Sequence, residues 1–475
     1  MRFIALASSL VLTTYVANAS PLEDPTLAGA STFTGPTAAH STAIFINPAS
    51  MGMVSRGIHV LALGTMRLSQ LSVDREIIEA DGSSSSGPEV RGNTLSPGGM
   101  VAFDIGLADK YRLGVSLHTA QARRFASGHE PLRYHTLGGH LYQYTATGSA
   151  SFAAHSRILF GFGISLGYSS VRLDFARDTA LEAGVAGVEA DCEGQPCGIE
   201  NPLADQRYRI EASTRTVGGL FAAKNLGLIG GTMIRITKKW WIAASIVFPP
   251  GSISGPLDLP GEVRVEQAPR DGDREVRGDS EVIVRPPVSL YAGVRGPLLE
   301  GRLDLLAHVR WQNLSVSQNF DVRMFGGDLQ LDDVPRWYPR YLGYADELTA
   351  VAGVETPEGN RMRFGGRLVV QSGAVDAGKM SPLAPAPWNV GANGGAEIRV
   401  GDHFVLAGVY GLTVFAPTDA SPSDFDPLAR LSCVESDYAL DECVAARQGR
   451  AIPTAAGAYS RFEHSLTLSL RYDTL

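Results

Sequence analysis

The sequence predicts an all-β chain, a transmembrane antiparallel β-barrel of about 14 strands with an N-terminal hatch inside the lumen. Three observations predict it. Apolar and polar residues alternate through one segment after another, short and long connections alternate by parity, and the chain opens on an export signal without carrying a run apolar enough for a membrane helix.

The signal comes first. Arg2 gives a positive start, Phe3 to Val16 is mostly apolar, and Ala17-Asn18-Ala19 has the small-x-small form of a cleavage site. Residues 1–19 therefore read as a signal peptide, with the mature chain starting at Ser20. The formal net charge is only −8. No basic stripe appears, so a nucleic-acid partner is not expected. Four cysteines form two close pairs, Cys192 with Cys197 and Cys433 with Cys443. Neither has the Cys-x-x-Cys form or a matched His pair, so a metal is not expected, and export permits disulfides.

Residues 20–56 do not read as a strand. They are rich in Thr, Ala and Gly and broken by Pro21, Pro25, Pro36 and Pro48. A barrel of this strand number has a lumen too wide for wall side chains to fill. A segment of this size can fold back inside as a plug, which leaves 57–475 for the barrel.

Strands are expected near 57–77, 97–108, 111–122, 138–154, 157–175, 207–236, 239–249, 281–296, 301–315, 346–356, 360–371, 386–400, 402–415 and 456–473. In the last, Leu466, Leu468, Leu470 and Tyr472 alternate with Ser465, Thr467, Ser469 and Arg471. Successive side chains of a strand point to opposite faces, so this segment has one apolar and one polar face, as a wall between lipid and lumen requires. The pattern recurs in Tyr111, Leu113, Val115 and Leu117 against Arg112, Ser116 and His118, and in Gln143 to Ser151, whose odd positions are polar. Phe160, Phe162, Ile164, Leu166 and Tyr168 are then apolar on even positions, whereas Val171, Leu173 and Phe175 continue on odd ones. A bulge near Ser169 and Ser170 would account for that slip. The sixth strand is longer than one crossing needs, so part of it should stand outside the membrane.

Connections after even strands are tight: Asp109-Lys110, His155-Ser156, Thr237-Lys238, Pro297 to Glu300, Pro357 to Gly359, and Gly401. Those after odd strands are long: 78–96, 123–137, 176–206, 250–280, 316–345, 372–385 and 416–455. Short periplasmic turns and long outer loops are the habit of outer-membrane barrels. Both chain ends then lie on the periplasmic side and both cysteine pairs in outer loops. Trp240 and Trp241, after Lys238 and Lys239, suit an interfacial belt at a periplasmic turn.

The stretch Ser41-Thr42-Ala43-Ile44-Phe45-Ile46-Asn47-Pro48-Ala49-Ser50-Met51 resembles the hatch signature of the FadL-type long-chain fatty acid and hydrophobic-compound transporters, with Asn47, Pro48 and Ala49 as its core and Phe45 as a further residue of the motif. Gly457 to Ser460, His464 and Leu466 to Tyr472 are similar to the last strand of that family, and Asn225-Leu226-Gly227 and Pro287 to Leu290 resemble strand starts. The resemblance implies a plug inside a 14-stranded barrel and passive movement of apolar cargo, fatty acids among them, with release through a shift of the hatch and a sideways exit. Two departures stand out. His40 sits where acidic residues often precede the motif's Ser, and the chain runs past Tyr472 to Asp473, Thr474 and Leu475, where many barrels end in a Phe read by the assembly machinery.

No Gly-x-Ser-x-Gly, His-Glu-x-x-His or phosphate loop is present, so neither catalysis nor a cofactor is expected. Inward-parity arginines are Arg112, Arg310, Arg363, Arg367, Arg399 and Arg471. Each can grip a carboxylate head group in a two-pronged contact or pair with a carboxylate of the wall or hatch. Trp337, Tyr338, Tyr341 and Tyr344 in the 316–345 loop either meet an apolar ligand or pack the loop down. The expected partners are outer-membrane lipid, an apolar small molecule and the barrel assembly machinery, with the chain a monomer. The competing readings are a general diffusion porin, a structural or adhesive barrel, and an outer-membrane enzyme.

Overall fold

A computed structural model describes residues 32–53, 57–78, 83–108, 110–125, 130–183, 191–192, 194–196, 200–215, 222–272, 274–329, 334–357, 361–425 and 452–474. The signal-peptide range lies outside them, as do Cys197, Cys433 and Cys443; Cys192 is described in its backbone alone.

The chain forms a closed antiparallel barrel of 14 wall strands. In chain order the strands are β1 (Ile58–Ile78), β2 (Ser84–Ala108), β3 (Tyr111–Arg124), β4 (Gly138–His155), β5 (Ile158–Asp178), β6 (Asp205–Ser213), β7 (Leu226–Arg235), β8 (Trp241–Phe248), β9 (Leu257–Glu266) and β10 (Glu275–Val284). They continue as β11 (Ser289–Leu298), β12 (Leu303–Gln312), β13 (Asn319–Phe325), β14 (Trp337–Tyr341), β15 (Glu347–Glu355), β16 (Met362–Gln371), β17 (Asn389–Val400), β18 (Phe404–Phe415) and β19 (Gly457–Asp473). The wall runs β1 to β5, then β7, β8, β11, β12 and β15 to β19. It closes where β19 pairs with β1, from His59 opposite Asp473 to Arg75 opposite Gly457. Closure gives every wall strand a neighbour on both sides, as a bilayer demands because nothing there can satisfy a free N–H or C=O. Thr474 donates its N–H to the Ile58 carbonyl, so the first strand and the end of the last lie together at the rim of the short turns, here the lower rim. A belt of outward Val101, Phe103, Leu117, Phe162, Leu368 and Leu468 is exposed, as hydrocarbon-facing side chains should be.

β6, β9, β10, β13 and β14 form a second storey above this wall. β5 carries both storeys: Ile158 to Leu166 pair with β7, and Ser170 to Asp178 pair with β6. From β6 the sheet continues through β9, β10 and β13 to β14.

The upper storey and the length of β2 correct several expectations, among them the 316–345 connection, which contains β13 and β14. The single strand expected over 207–236 is two, β6 and β7, because its halves belong to different storeys. The segment 281–296 is likewise divided between β10 and β11, and the 250–280 connection contains most of the β9–β10 hairpin. The expected loop 78–96 is mostly strand: β2 follows β1 up to Ile78 opposite Ser84, since a long partner supplies the ladder that Ser and Gly propensities do not. Finally, β5 has no bulge at Ser169 and Ser170, its register with β4 running unbroken from Gly138–Asp174 to Ala153–Leu159. What changes is the surroundings. Phe160, Phe162 and Ile164 point out toward lipid, whereas Val171, Leu173 and Phe175 point inward, into a buried upper core with Tyr208, Ile210 and Val263. One strand thus keeps its pleat while its apolar face swaps sides.

Candidate functional site

Residues 32–53 lie against the inner wall. Helix α1 (Ala43–Ile46) is a single turn followed by a 3-10 turn, Pro48–Met53. Neither could persist alone in water. Burial against the wall holds them: Ile44, Phe45, Ile46 and Met51 pack with Leu61, Leu63, Met100 and Ile229. The polar backbone left over is met by inward serines. Ser149 Oγ donates to the Ile44 carbonyl at 2.6 Å and Ser245 Oγ to the Ile46 carbonyl at 2.8 Å.

The four motif residues have distinct places. Asn47 ties the segment to itself, its Nδ2 donating to the Pro36 carbonyl at 2.7 Å while its Oδ1 accepts from the Ala49 N–H at 3.2 Å. Pro48 opens the 3-10 turn, where its fixed φ fits and its missing N–H costs nothing. Pro48 and Ala49 press on Gly161 of β5 so closely that a Cβ there would fall on their backbone atoms. Phe45 stacks on the His118 ring of β3, centroids 4.1 Å apart. The polar contact that departs at His40 is supplied from the wall instead: Ser41 Oγ donates to Asp104 Oδ2 at 2.7 Å.

The six arginines separate. Arg112 donates from Nε to Asp104 at 2.6 Å, Arg310 reaches Glu347 at 2.9 Å, and Arg363 lies between Glu355 and Glu397 with its guanidinium over the Phe33 ring. Arg471 pairs with Asp473 at 3.1 Å near the lower rim. Arg399, half-buried, lines neither of the cavities described below. Arg367 differs. It is 4 % exposed, gives one N–H to the Thr34 carbonyl, and has no carboxylate within ion-pair distance among the described residues. Its Nη2 has no hydrogen-bond partner there. Arg67, Arg461 and Glu463, a buried cluster joining β1 to β19, were missed from sequence. Their inward parity with Thr65, Ser69 and Tyr459 was the available signal.

The segment leaves two cavities. The first, with about 860 Å³ of empty space, is lined by Arg67, His308, Arg310, Arg367 and Glu463 together with Thr34 of the segment. The second, about 630 Å³, lies beyond Tyr291 and Arg310, which border both. Its surface carries Phe45, His118, Gln143, Thr145, Thr147 and Ile229.

Next to His118 the wall ladder is interrupted. β3 pairs with β2 only up to His118 opposite Met100. Above that level β2 continues along β1 alone, through Gly99, Gly98 and Pro97, and β3 shifts register between Thr119 and Gln121 against β4. Pro97 has no N–H to offer a ladder. Across the gap the Gly99 N–H donates to Thr119 Oγ1 at 3.2 Å. Outside, Val101 and Leu117 border a trough facing the hydrocarbon belt, into which His118 and Thr119 also open.

The loop aromatics mostly pack the upper storey down. Tyr344 is buried and accepts from Arg123, Tyr338 stacks on Phe175 at 5.5 Å, and Tyr341 meets the edge of Phe425 at 6.0 Å. Trp337 alone of the four is exposed, beside Ile283, Met324 and Phe325 on an outer groove.

No protein-family model matches the chain, and no curated protein matches it by sequence. Solved structures do. A Pseudomonas aeruginosa FadL homologue superposes with a TM-score of 0.69 at 13% identity, covering 97% of this chain and 99% of its own. The chain has the fold of the FadL-type transporters. The Pseudomonas putida toluene transporter TodX follows at TM-score 0.63 and 14% identity, covering 95% of this chain and 98% of its own. The Ralstonia pickettii toluene transporter TbuX gives 0.58 and 14%, with the same coverage.

Proposed function

We propose that this chain is a passive outer-membrane channel for hydrophobic molecules, long-chain fatty acids among them, with residues 20–56 as its hatch. The observation that supports the reading is the packing of residues 32–53 against the inner wall, with a cavity of about 860 Å³ and another of about 630 Å³ beside them. A general diffusion porin would need that space open. The toluene transporters and the FadL homologue of like fold agree with an apolar cargo.

The physics is simple. Each methylene taken from water contributes about 0.8 kcal/mol, so an acyl chain is drawn to an enclosed apolar surface without an energy source. The interrupted β2–β3 ladder supplies a sideways path from the second cavity toward hydrocarbon, which spares the cargo a water-filled axial route. For a fatty acid, Arg367 is the carboxylate contact, because it is the one of the six that is deeply buried, faces a cavity and has no ion-pair partner among the described residues. The disulfides Cys192–Cys197 and Cys433–Cys443 stiffen the outer loops in this reading.

The test is binding of a fluorescent fatty acid by the purified protein, with uptake by cells that carry or lack it. Arg367→Ala should weaken the acid about ten-fold or more while sparing its methyl ester, since a charge-assisted hydrogen bond contributes roughly 1.5–3 kcal/mol. Equal losses would remove the carboxylate contact. No binding and no uptake of fatty acids or simple aromatics would overturn the transport reading.

A further inference from the structure

The inward face of β4 is used unevenly. Going up the strand from the lower rim, Ser151 and Ser149 donate to the carbonyls of Ala49 and Ile44 and so hold the N-terminal segment in place. The next three inward residues, Thr147, Thr145 and Gln143, face the second cavity instead. The Oγ1 atoms of both threonines and both amide atoms of Gln143 have no hydrogen-bond partner among the described residues, and neither has Nδ1 of His118, which stands directly across from Thr145 on β3. All four side chains are at least nine-tenths buried: Gln143 is 1 % exposed, Thr147 2 %, Thr145 4 % and His118 5 %. Buried polar groups in native proteins almost always have a partner, so five idle atoms on adjoining residues of one cavity call for something that hydrogen-bonds there.

Their chemistry specifies what. Thr and Gln side chains offer donors and acceptors alike and carry no charge. Residues two apart on a strand repeat every ~6.6 Å, so the strip from Gln143 to Thr147 runs about 13 Å along the cavity wall. Arg310, at the border with the first cavity, is occupied by Glu347 and Thr349. Phe45, Ile229, Val247, Pro249 and Pro250 give the cavity an apolar side, and Gln121, Ser165, Ser289 and Gln312 add further uncharged polar groups to its lining.

We infer that the second cavity is a binding site for an uncharged amphiphile, one whose head carries two or more hydroxyl, ester or amide groups for the Gln143–Thr145–Thr147 strip and His118, with its apolar part against Phe45, Ile229 and the prolines. The two cavities then divide the cargo by head group, an anion at Arg367 and a neutral polar head at β4. This rests on the lumen being the cargo path, and it adds a ligand class that a pure hydrocarbon channel does not need.

The test uses the full chain in lipid nanodiscs and three twelve-carbon probes: 1-monododecanoylglycerol, laurate and dodecane. The glyceride should bind saturably and about ten-fold or more tighter than dodecane. Thr145→Val with Thr147→Val keeps the shape of the strip and removes its hydroxyls. Gln143→Leu removes the amide and serves as the second variant should the first fail to fold. Either should abolish the preference for the glyceride and leave laurate within two-fold of wild type. An unchanged glyceride affinity in both variants, or no preference over dodecane in wild type, would overturn the inference and leave the strip to bound water. Laurate and dodecane uptake, measured in parallel, reports on the transport reading separately: its loss in the wild-type protein would overturn that reading, whereas the glyceride preference alone decides this one.

Discussion

Gly161 offers a direct way to push the N-terminal segment off the wall. A Cβ on this β5 residue would fall on the backbone of Pro48 and Ala49 and lie 2.7 Å from Pro48 Cβ. Ordinary contact begins at 3.4 Å, so the segment must recede by at least 0.7 Å, and by more where backbone meets backbone. The wall cannot yield in its place, because β5 is held by β4 on one side and β7 on the other at this level. Overpacking of this kind costs about 1–3 kcal/mol. If that cost falls on the seated state alone, Gly161→Ala moves the balance between seated and displaced segment by about 5- to 150-fold. Gly148→Ala is the matched control, since a Cβ at Gly148 meets nothing within 4 Å. The assay is ion conductance in a planar bilayer, on protein that still shows the heat-dependent gel shift of a folded barrel. Gly161→Ala should raise the frequency of open events, and Gly148→Ala should not. Equal, low conductance in both variants would refute the claim that the segment closes the lumen by resting on β5.

Three further outcomes are expected. Glu463→Gln leaves Arg461 and Arg67 buried without their shared carboxylate, and breaking such a cluster on one side costs roughly 3–5 kcal/mol; urea unfolding in micelles should show the loss, and Arg461→Gln combined with Glu463→Gln should recover part of it. Burial, helped by the nearby Arg340 and Arg75, holds His135 of the upper storey at a pKa of about 3, well below its ordinary 6.5. Its neutral form is the folded one, so the stability it contributes is complete above pH 6.5 and drains away as pH falls toward 3; proteolysis of the upper storey should accelerate over that window, less so in His135→Gln. Peptide mapping without reduction should find Cys192–Cys197 and Cys433–Cys443, and free thiols at all four positions would refute both pairings.

Much of the wall was legible in the sequence. Leu466, Leu468 and Leu470 do face lipid, with Ser465, Thr467 and Ser469 on the opposite face of the same strand. The tight links Thr237-Lys238 and Gly401 do close hairpins at the rim of the chain ends, and the one expected over Pro297 to Glu300 falls slightly later, at Leu299 to Arg302, because Pro297 and Leu298 still pair with β12. The upper storey was not legible. Its strands are Arg-, Glu- and Asp-rich on one face, as in Arg207, Arg209 and Glu211, and compositionally resemble loops until their partners are known. The candidate site was half legible. Parity placed Arg112, Arg310, Arg363 and Arg367 inside the barrel, yet nothing local distinguished them.

What the sequence determined by itself is whatever the pleat and the turn determine: which residues share a face, where the chain reverses, and that a proline-broken 20–56 does not make a strand. These depend on neighbours a few residues away. The tertiary structure alone decided the rest. Arg112 is neutralised because hairpin pairing brings Asp104 alongside it, and Arg310 because β15 brings Glu347, whereas Arg367 donates to the Thr34 carbonyl from 333 residues away and has no carboxylate partner among the described residues. The β2–β3 ladder opens where Pro97 and the shift after Thr119 fall at the same height, and β5 turns its apolar side from lipid to core where the upper storey begins. Side-chain alternation is a property of one strand. Partner, register and the medium beyond each face are properties of barrel closure, which joins residues hundreds of positions apart and leaves no local trace.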